Sequence, residues 1–329
     1  MERVISGIRP TGNLHLGNYF GAVKSFVQMQ NEYDCMFFIA DWHSLTTHPK
    51  PENIRNSART ILCEYLACGI NPEIAPIYVQ SDVKQVLELY LYLNMNAYLG
   101  ELERVTSFKD KARKQPDNVN AGLLTYPTLM AADILMHKAD KVPVGKDQEQ
   151  NMEMARLFAR RFNRMYDVDY FKEPESFYFN AKAVKVPGLD GSGKMGKSEG
   201  NCIYLCDSEE VIRKKVMRAV TDAGPTMLNQ EKPEVIQNLF TLMELVSDKQ
   251  TYDYFNDQYN NMAIRYGDMK KQLAQDINAF CAPIREKIVA YQNDDEYLAK
   301  VLRLGAERAS ERAEKTLEDV RQIIGFRRI

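Results

Sequence analysis

Two stretches of the chain carry groups suited to work on phosphates. The first is Gly7-Ile8-Arg9-Pro10-Thr11-Gly12-Asn13-Leu14-His15-Leu16-Gly17-Asn18, set between an apolar run and a helical one. A helix that starts at the carboxyl end of a buried strand offers unpaired N–H groups and the positive end of its dipole to an anion. Gly17 lets a nucleotide approach the backbone closely. His15 and Asn18, three residues apart, fall on the first helical turn, where both can donate hydrogen bonds to phosphate oxygens as charge builds on them. Taken alone, such a turn serves equally well as plain architecture. The second stretch is Lys194-Met195-Gly196-Lys197-Ser198, inside the glycine-rich, charged segment GLDGSGKMGKSEGN at 188–201. Two lysines on a loop can close over a triphosphate and stabilise a pyrophosphate leaving group. By composition alone they read as a solvated loop.

The elements that would position these groups follow from the hydrophobic pattern. RVISGI at 3–8 reads as a strand, followed by a turn and then Leu16, Tyr19, Phe20, Val23 and Val27 at helical spacing. DCMFFIADW at 34–42 is almost continuously apolar, as expected of a buried parallel strand. Residues 52–68 read as a helix stopped by Gly69. APIYVQS at 75–81 reads as a third strand, with Ser81 or Asp82 available to cap the helix through VLELYLYL. This alternation predicts a Rossmann-like, doubly wound parallel α/β sheet. The pattern breaks at 98–120, which is polar and basic and reads as a mobile connection. A helical block at 126–140, a strand at 141–145 running into a helix, and a candidate fifth strand at 181–188 follow. From 207 the pattern is helical. Asp207 with Glu210 resembles a capping box, and helices are expected at about 233–247, 249–263, 267–291 and 294–323, with Pro283 kinking or breaking the third of them. The expected organisation is a catalytic α/β domain over 1–200, with a helical insertion at about 82–140, and an α-helical domain over 201–329 whose last helix packs back on the first domain.

The bulk properties exclude several classes. The chain has 329 residues, 45% hydrophobic and 27% charged, the balance of a soluble globular protein. No run approaches the ~18 apolar residues of a membrane-spanning helix, and MERVISGIRP lacks the basic-then-apolar pattern of a secretory signal. A cytoplasmic location without a membrane partner is expected. The six cysteines lack C-x-x-C spacing and read as reduced thiols, so no protein-borne metal site is expected. Lys and Arg number 43 against 45 Asp and Glu, a net charge of −2, evenly spread. Bulk charge therefore does not mark a nucleic-acid binder, and RNA contacts would have to come from local patches. The candidates are Arg104, Lys109, Lys111, Arg113 and Lys114, and Arg213, Lys214, Lys215 and Arg218. Each set reads as well as a solvated basic helix face.

Taken together, the two phosphate-directed stretches are more specific. HLGN at 15–18 resembles the HIGH motif of class I aminoacyl-tRNA synthetases, and KMGKS at 194–198 resembles their KMSKS motif, in the same order. GELERVTSFKDKARK (100–114), GLLTYPTLMAADIL (122–135), VPVGKDQEQNMEMARLFARRFN (142–163) and YGDMKKQLAQDINAFCAPIREK (266–287) resemble successive blocks of bacterial tryptophanyl-tRNA synthetases. The similarity runs from residue 3 to about 325.

The resemblance implies a reaction in two steps. The tryptophan carboxylate attacks the α-phosphate of ATP, giving tryptophanyl-adenylate and pyrophosphate, and the terminal adenosine of tRNA(Trp) then takes the amino acid. It implies a homodimer with tRNA lying across both subunits, a C-terminal domain that reads the anticodon, and no DNA partner. ATP enters as a substrate with Mg2+ held mainly by its phosphates, and no organic cofactor is implied. His15, Asn18, Lys194 and Lys197 would be catalytic. Arg9, Pro10, Thr11, Gly17 and Asn18 would bind ATP, with Gly145, Lys146 and Asp147 on its ribose and adenine side and Val186 near the adenine. Met195, Gly196 and Ser198 would join the two lysines at the phosphates. Ile5, Gly7, His43 and Val144 would line the tryptophan pocket, Tyr126 with Gln148 would hold the amino-acid end, and Met130 would pack on the ring. For His43 a structural role is equally open.

Asp133 would be the specificity residue. It lies in the apolar run TLMAADILM, and a buried carboxylate there needs a donor. The indole N–H of tryptophan is a donor only. Read without the resemblance, a salt bridge to a nearby helix residue accounts for Asp133 as well. Three positions depart from the family pattern: Gly196 stands for the first serine of KMSKS, Arg9 for a glutamine of many bacterial members, and Ile5 for an aromatic residue. The rival readings are a tyrosyl-tRNA synthetase, another nucleotidyltransferase with an HxGH-type motif, and a synthetase-like tRNA-binding protein without activity.

Overall fold

Five strands line up in the order β3-β2-β1-β4-β5, and every neighbouring pair is parallel. They are β1 (Arg3–Ile8), β2 (Asp34–Ile39), β3 (Ile77–Val79), β4 (Lys141–Pro143) and β5 (Glu175–Phe177). The computed structural model describes residues 1–145, 148–177 and 185–326, and these strands are counted among them. Every residue of β2 after Asp34 is buried, because helices cover both faces of the sheet. The period-two pleat sorts the side chains between two cores. Val4, Cys35, Phe37 and Ile39 enter one, and Ile5, Met36 and Phe38 the other. The chain winds outward from β1 through β2 to β3, then returns to β4 on the far side of β1. That reversal opens a crevice at the carboxyl ends of β1 and β4, where open α/β sheets bind ligands.

One helical path follows β1: α1 (Leu16–Asn18), a five-residue π-helical stretch at Tyr19–Val23, and α2 (Lys24–Met29). Its Leu16, Phe20, Val23, Phe26 and Met29 are buried. A short helix α3 (Asp41–Ser44) ends β2. Next, α4 (Pro51–Cys68) opens with proline and closes on Gly69 at φ +106°, the usual punctuation of a helix. The following helix, α5 (Gln85–Met95), starts from Lys84 rather than from Ser81 or Asp82. Those two sit in a 3₁₀ turn, Gln80–Asp82, because Asp41 Oδ1 takes the Ser81 N–H at 3.1 Å.

Residues 98–120 are not an unstructured connection. They form α6 (Leu99–Leu102), α7 (Thr106–Lys114) and a 3₁₀ turn at Pro116–Asn118. Two buried residues, Leu102 and Val105, anchor them, and Arg161 clamps Glu101 through both carboxylate oxygens at 2.8 Å. Two apolar anchors are too few to register as a hydrophobic period. The apolar block that follows is α8 (Ala121–Met136), capped by Asn120, whose Oδ1 accepts from Leu123 N at 2.9 Å. After β4 comes α9 (Glu149–Tyr166). The edge strand is β5. Of the segment expected to supply a fifth strand, 181–184 lie outside the described residues and 185–188 are not in a strand.

The C-terminal part is helical as expected: α10 (Glu209–Met217), α11 (Glu234–Val246), α12 (Lys249–Asn260), α13 (Tyr266–Gln292) and α14 (Asp295–Ile324). Ser208 caps α10, not Asp207, whose Oδ2 is held by Tyr204 N at 2.8 Å and Lys215 Nζ at 2.6 Å. Pro283 does not break α13. Its exposed position leaves the freed carbonyl one turn back open to water. The last helix returns to the α/β part. Gly305 of α14 lies so close to β3 that a Cβ there would stand 1.9 Å from Ile77 O. Arg312 pairs with Asp34 at 2.8 and 3.1 Å, and Arg321 with Glu88 at 2.6 and 2.7 Å. No helix among the described residues is long and apolar enough to cross a membrane.

Candidate active site

A cavity of about 410 Å³ opens at the carboxyl ends of β1 and β4. Of the residues expected at the tryptophan site, all eight line it: Ile5, Gly7, His43, Tyr126, Met130, Asp133, Val144 and Gln148. Of those expected at ATP, Arg9, Asn18 and Gly145 line it as well. Lys146 and Asp147 lie outside the described residues.

Asp133 is 2% exposed, on the face of α8 that looks into the cavity. No Lys or Arg pairs with it among the described residues; its partners are Gln80 and, from the short helix α3, His43. Gln80, at the end of β3, donates from Nε2 to Oδ1 and Oδ2 at 2.9 and 2.8 Å. The His43 ring meets Oδ2 at 3.0 Å. Burial raises the carboxyl pKa, and the His43 and Gln80 contacts work against that rise. An ionised carboxylate has about four acceptor sites, so these contacts leave room for one further donor from the cavity. Gln80 is fully buried and escaped the sequence reading. Its one signal was a polar amide at the carboxyl end of an apolar strand.

At the other end of the cavity lie Tyr126, Gln148 and two cations. The Tyr126 hydroxyl bonds Ser107 Oγ and Asn151, and Asn151 Nδ2 donates to Gln148 Oε1 at 2.8 Å. Lys111 Nζ sits 3.4 Å above the Tyr126 ring. Burial first, and the charge of Arg9 second, lower the Lys111 pKa to about 8. Arg9 Nε is buried without a partner, and burial lowers the guanidinium pKa. Lys111 thus leaves the basic patch proposed for RNA and joins the cavity. Arg104, Lys109, Arg113 and Lys114 stay exposed. In the second patch Lys215 is spent on Asp207, while Arg213, Lys214 and Arg218 remain exposed.

The HLGN turn is held by its own backbone and by a buried acid. Asn18 Oδ1 accepts from His15 N at 3.1 Å, which leaves the Asn18 amide N–H₂ as a donor group at the cavity wall. Glu64 of α4, fully buried, accepts from Leu14 N at 2.7 Å, and burial pushes its pKa up to about 8. Burial and then the charges of Lys197 and Lys194 lower His15 to about 4, so the ring is neutral near pH 7. A Cβ on Gly17 would stand 2.8 Å from His15 Nδ1, so glycine is what lets the imidazole come this close to the turn.

The KMGKS loop docks against this turn. Lys197 Nζ donates to Gly12 O at 3.0 Å and Thr11 O at 3.3 Å, while Lys194 and Ser198 are exposed. Burial lowers the Lys197 pKa, and Glu64 opposes that. Met195 and Val186 are core residues at 2% and 4% exposure, joined by Met195 N to Val186 O at 2.8 Å. What they offer a nucleotide is backbone. A Cβ on Gly196 would meet Glu199 Oε2 at 2.0 Å, so a serine there requires only that the exposed Glu199 side chain swing aside. Pro10, Thr11, His15 and Gly17 form the turn beside the cavity without lining it.

Known proteins share this sequence pattern and this fold. A family model for tRNA synthetases class I (W and Y) matches residues 1–282. The tryptophan–tRNA ligase of Porphyromonas gingivalis is 71% identical, over 99% of this chain and 100% of its own. That of Rickettsia conorii is 40% identical over 99% of each chain. Among solved structures, the tryptophanyl-tRNA synthetase of Campylobacter jejuni complexed with ADP and tryptophan superposes with a TM-score of 0.89, at 35% identity, over 98% of this chain and 99% of that one. The chain belongs to the class I tRNA synthetases of the W and Y family and, within it, to the tryptophan–tRNA ligases.

Proposed function

We propose that this enzyme activates L-tryptophan with ATP and transfers it to tRNA(Trp), and that the buried Asp133 carboxylate recognises the indole N–H. One observation carries the reading. Asp133 is sealed from water, is oriented by Gln80 and His43, and faces a cavity whose other end holds Arg9 and Lys111. The amino-acid ring would lie between Met130 and the β1–β4 crevice. Its carboxylate would then point toward the cations and the HLGN turn. Asn18, neutral His15, Lys111, Lys194 and Lys197 would stabilise charge on the reacting α-phosphate and on pyrophosphate as it leaves. No side chain forms a covalent bond with substrate in this scheme. Catalysis comes from alignment of carboxylate and α-phosphate and from fixed positive charge. Mg2+ would enter with ATP, bound mainly by phosphate oxygens.

A homodimer is supported by an apolar stripe on α5 and the start of α6. Leu87, Leu91 and Met95 recur every four residues, are 44%, 47% and 76% exposed, and run on to exposed Tyr98 and Leu99. A stripe of that kind on a soluble protein marks an association surface. We assign the helical part after residue 201 to the anticodon, with the exposed Arg213, Lys214 and Arg218 as phosphate contacts, and place the enzyme in the cytoplasm, where translation runs. The test is charging of a tRNA(Trp) transcript with labelled tryptophan. Charging of tRNA(Trp) with tryptophan, and not of tRNA(Tyr) with tyrosine, is expected. Tyrosine charging would overturn the amino-acid assignment.

A further inference from the structure

The shape of the KMGKS loop is set by two asparagines. Asn201, inside the segment, is buried. Its Nδ2 donates to Asp190 Oδ1 (2.9 Å), Ser192 Oγ (2.9 Å) and Lys194 O (3.1 Å), and its Oδ1 accepts from Gly196 N (2.9 Å). It ties the residues on either side of Lys194 into one unit. The second asparagine, Asn238, comes from outside the loop, from α11. Its Nδ2 donates to Gly191 O at 3.0 Å and Ser192 O at 3.3 Å. The same helix face packs on the loop apolarly: a Cβ on Gly191, whose φ is +87°, would stand 2.9 Å from Val235 Cγ1. The buried face of α11, Ile236, Leu239, Phe240 and Met243, belongs to the core that the C-terminal helices share with β1, β2 and the loop segment's own Leu189 and Met195.

We propose that Asn238 is a positioning residue for adenylate formation: through the Gly191 and Ser192 carbonyls it fixes the loop that carries Lys194 and Lys197 to the helical C-terminal part. The inference rests on the reading of those two lysines as phosphate-side groups. Two carbonyls held by one amide N–H₂ anchor the chain just before Lys194. Without it, the loop keeps its internal Asn201 bonds, the Val235 contact and the bond from Val220 N to Leu189 O at 3.1 Å, but the Gly191 and Ser192 carbonyls just before Lys194 are no longer held from α11. The lysines would then reach the phosphates less often, while the tryptophan end, built on α8, β1 and β3, would be untouched. Any shift of the C-terminal helices would also reach the phosphate site through this contact.

The experiment is ATP–pyrophosphate exchange with tryptophan on the full-length enzyme, comparing wild type, Asn238→Ala, Asn238→Asp and Lys197→Ala. Asn238→Asp keeps the shape, removes both donors and turns a charged oxygen toward the carbonyls. Both Asn238 variants are expected to lose about tenfold in kcat/KM for ATP, the scale of one or two lost hydrogen bonds, with KM for tryptophan nearly unchanged; the thermal midpoint should stay close to wild type in Asn238→Ala and fall in Asn238→Asp, whose carboxylate is repelled by the two carbonyls. Unaltered ATP kinetics in either folded variant, or equal losses for ATP and tryptophan alongside a lowered midpoint, would overturn the proposal. Lys197→Ala separates the two levels. If it loses exchange while the Asn238 variants do not, only this inference fails. If it exchanges like wild type, the phosphate-side reading fails with it.

Discussion

Gln80 Nε2, at the end of β3, meets both carboxylate oxygens of Asp133 at 2.9 and 2.8 Å, across 53 residues of sequence. The pair sets both the direction and the charge of the acid. A carboxylate gripped at both oxygens does not rotate, so its remaining acceptor position points at one place in the cavity. Replacing Gln80 by Leu is expected to leave Asp133 held by His43 at Oδ2 alone of its two oxygens and less well ionised. The kcat/KM for tryptophan should fall roughly tenfold to a hundredfold, in line with one or two lost hydrogen bonds to a charged group, while KM for ATP holds. Steady-state exchange kinetics with each substrate varied checks this.

Lys111 gives the enzyme a pH limb of its own. Half-buried beside Arg9, it is charged below about 8 and neutral above. An anionic phosphate needs the charged form, so affinity for ATP is present below that pH and is lost as pH rises through it. Bound ATP stabilises the ammonium and moves the limb upward. The profile of kcat/KM for ATP should therefore turn down near pH 8, and that of kcat at higher pH. Lys111→Gln should lower activity throughout and remove this limb. A variant profile that still turns down at the same pH would assign the limb elsewhere.

Gly305→Ala tests how the last helix is seated. The added methyl would stand 1.9 Å from Ile77 O and 2.7 Å from Ile77 C, and the backbone of β3 has no room to yield. The helix must lift off the sheet edge at a cost of about 1–3 kcal/mol, as for other overpacked sites. The thermal midpoint is expected to fall by several degrees. An unchanged midpoint would mean that α14 does not press on β3.

Met95→Asp, in the middle of the α5–α6 stripe, places a charge on an exposed apolar surface. If two copies meet there, the variant should sediment as a monomer at concentrations where wild type is a dimer, and tRNA charging should fall with it. A dimeric Met95→Asp variant would move the interface elsewhere.

The legibility of the chain followed the density of apolar residues. β2, α4, α8 and the C-terminal helices α11, α13 and α14 announced themselves, because each buries a continuous or strongly periodic set of side chains. The segment at 98–120 did not, since α6 and α7 are tethered by Leu102, Val105 and one arginine clamp, a pattern no window average detects. Helix starts were misplaced where a carboxylate had a better use. Asp207 serves Tyr204 N and Lys215, and Asp41 holds the Ser81 N–H. Within the site, the local motifs His15–Asn18 and Lys194–Ser198 could be read from sequence, and the tryptophan-pocket residues were found through the resemblance. Gln80, Lys111 and Glu64 act through contacts 50 or so residues distant, or by turning inward from a basic run, and sequence alone carries neither fact.

The most direct test of the account is ATP–pyrophosphate exchange with each of the twenty amino acids, on wild type and on Asp133→Ala. Exchange with tryptophan alone is predicted, and in the variant its kcat/KM should fall on the order of 10²- to 10⁴-fold, as for sites built around one buried hydrogen bond to substrate. Strong tryptophan exchange by a folded Asp133→Ala enzyme, or wild-type exchange with tyrosine in place of tryptophan, would contradict it.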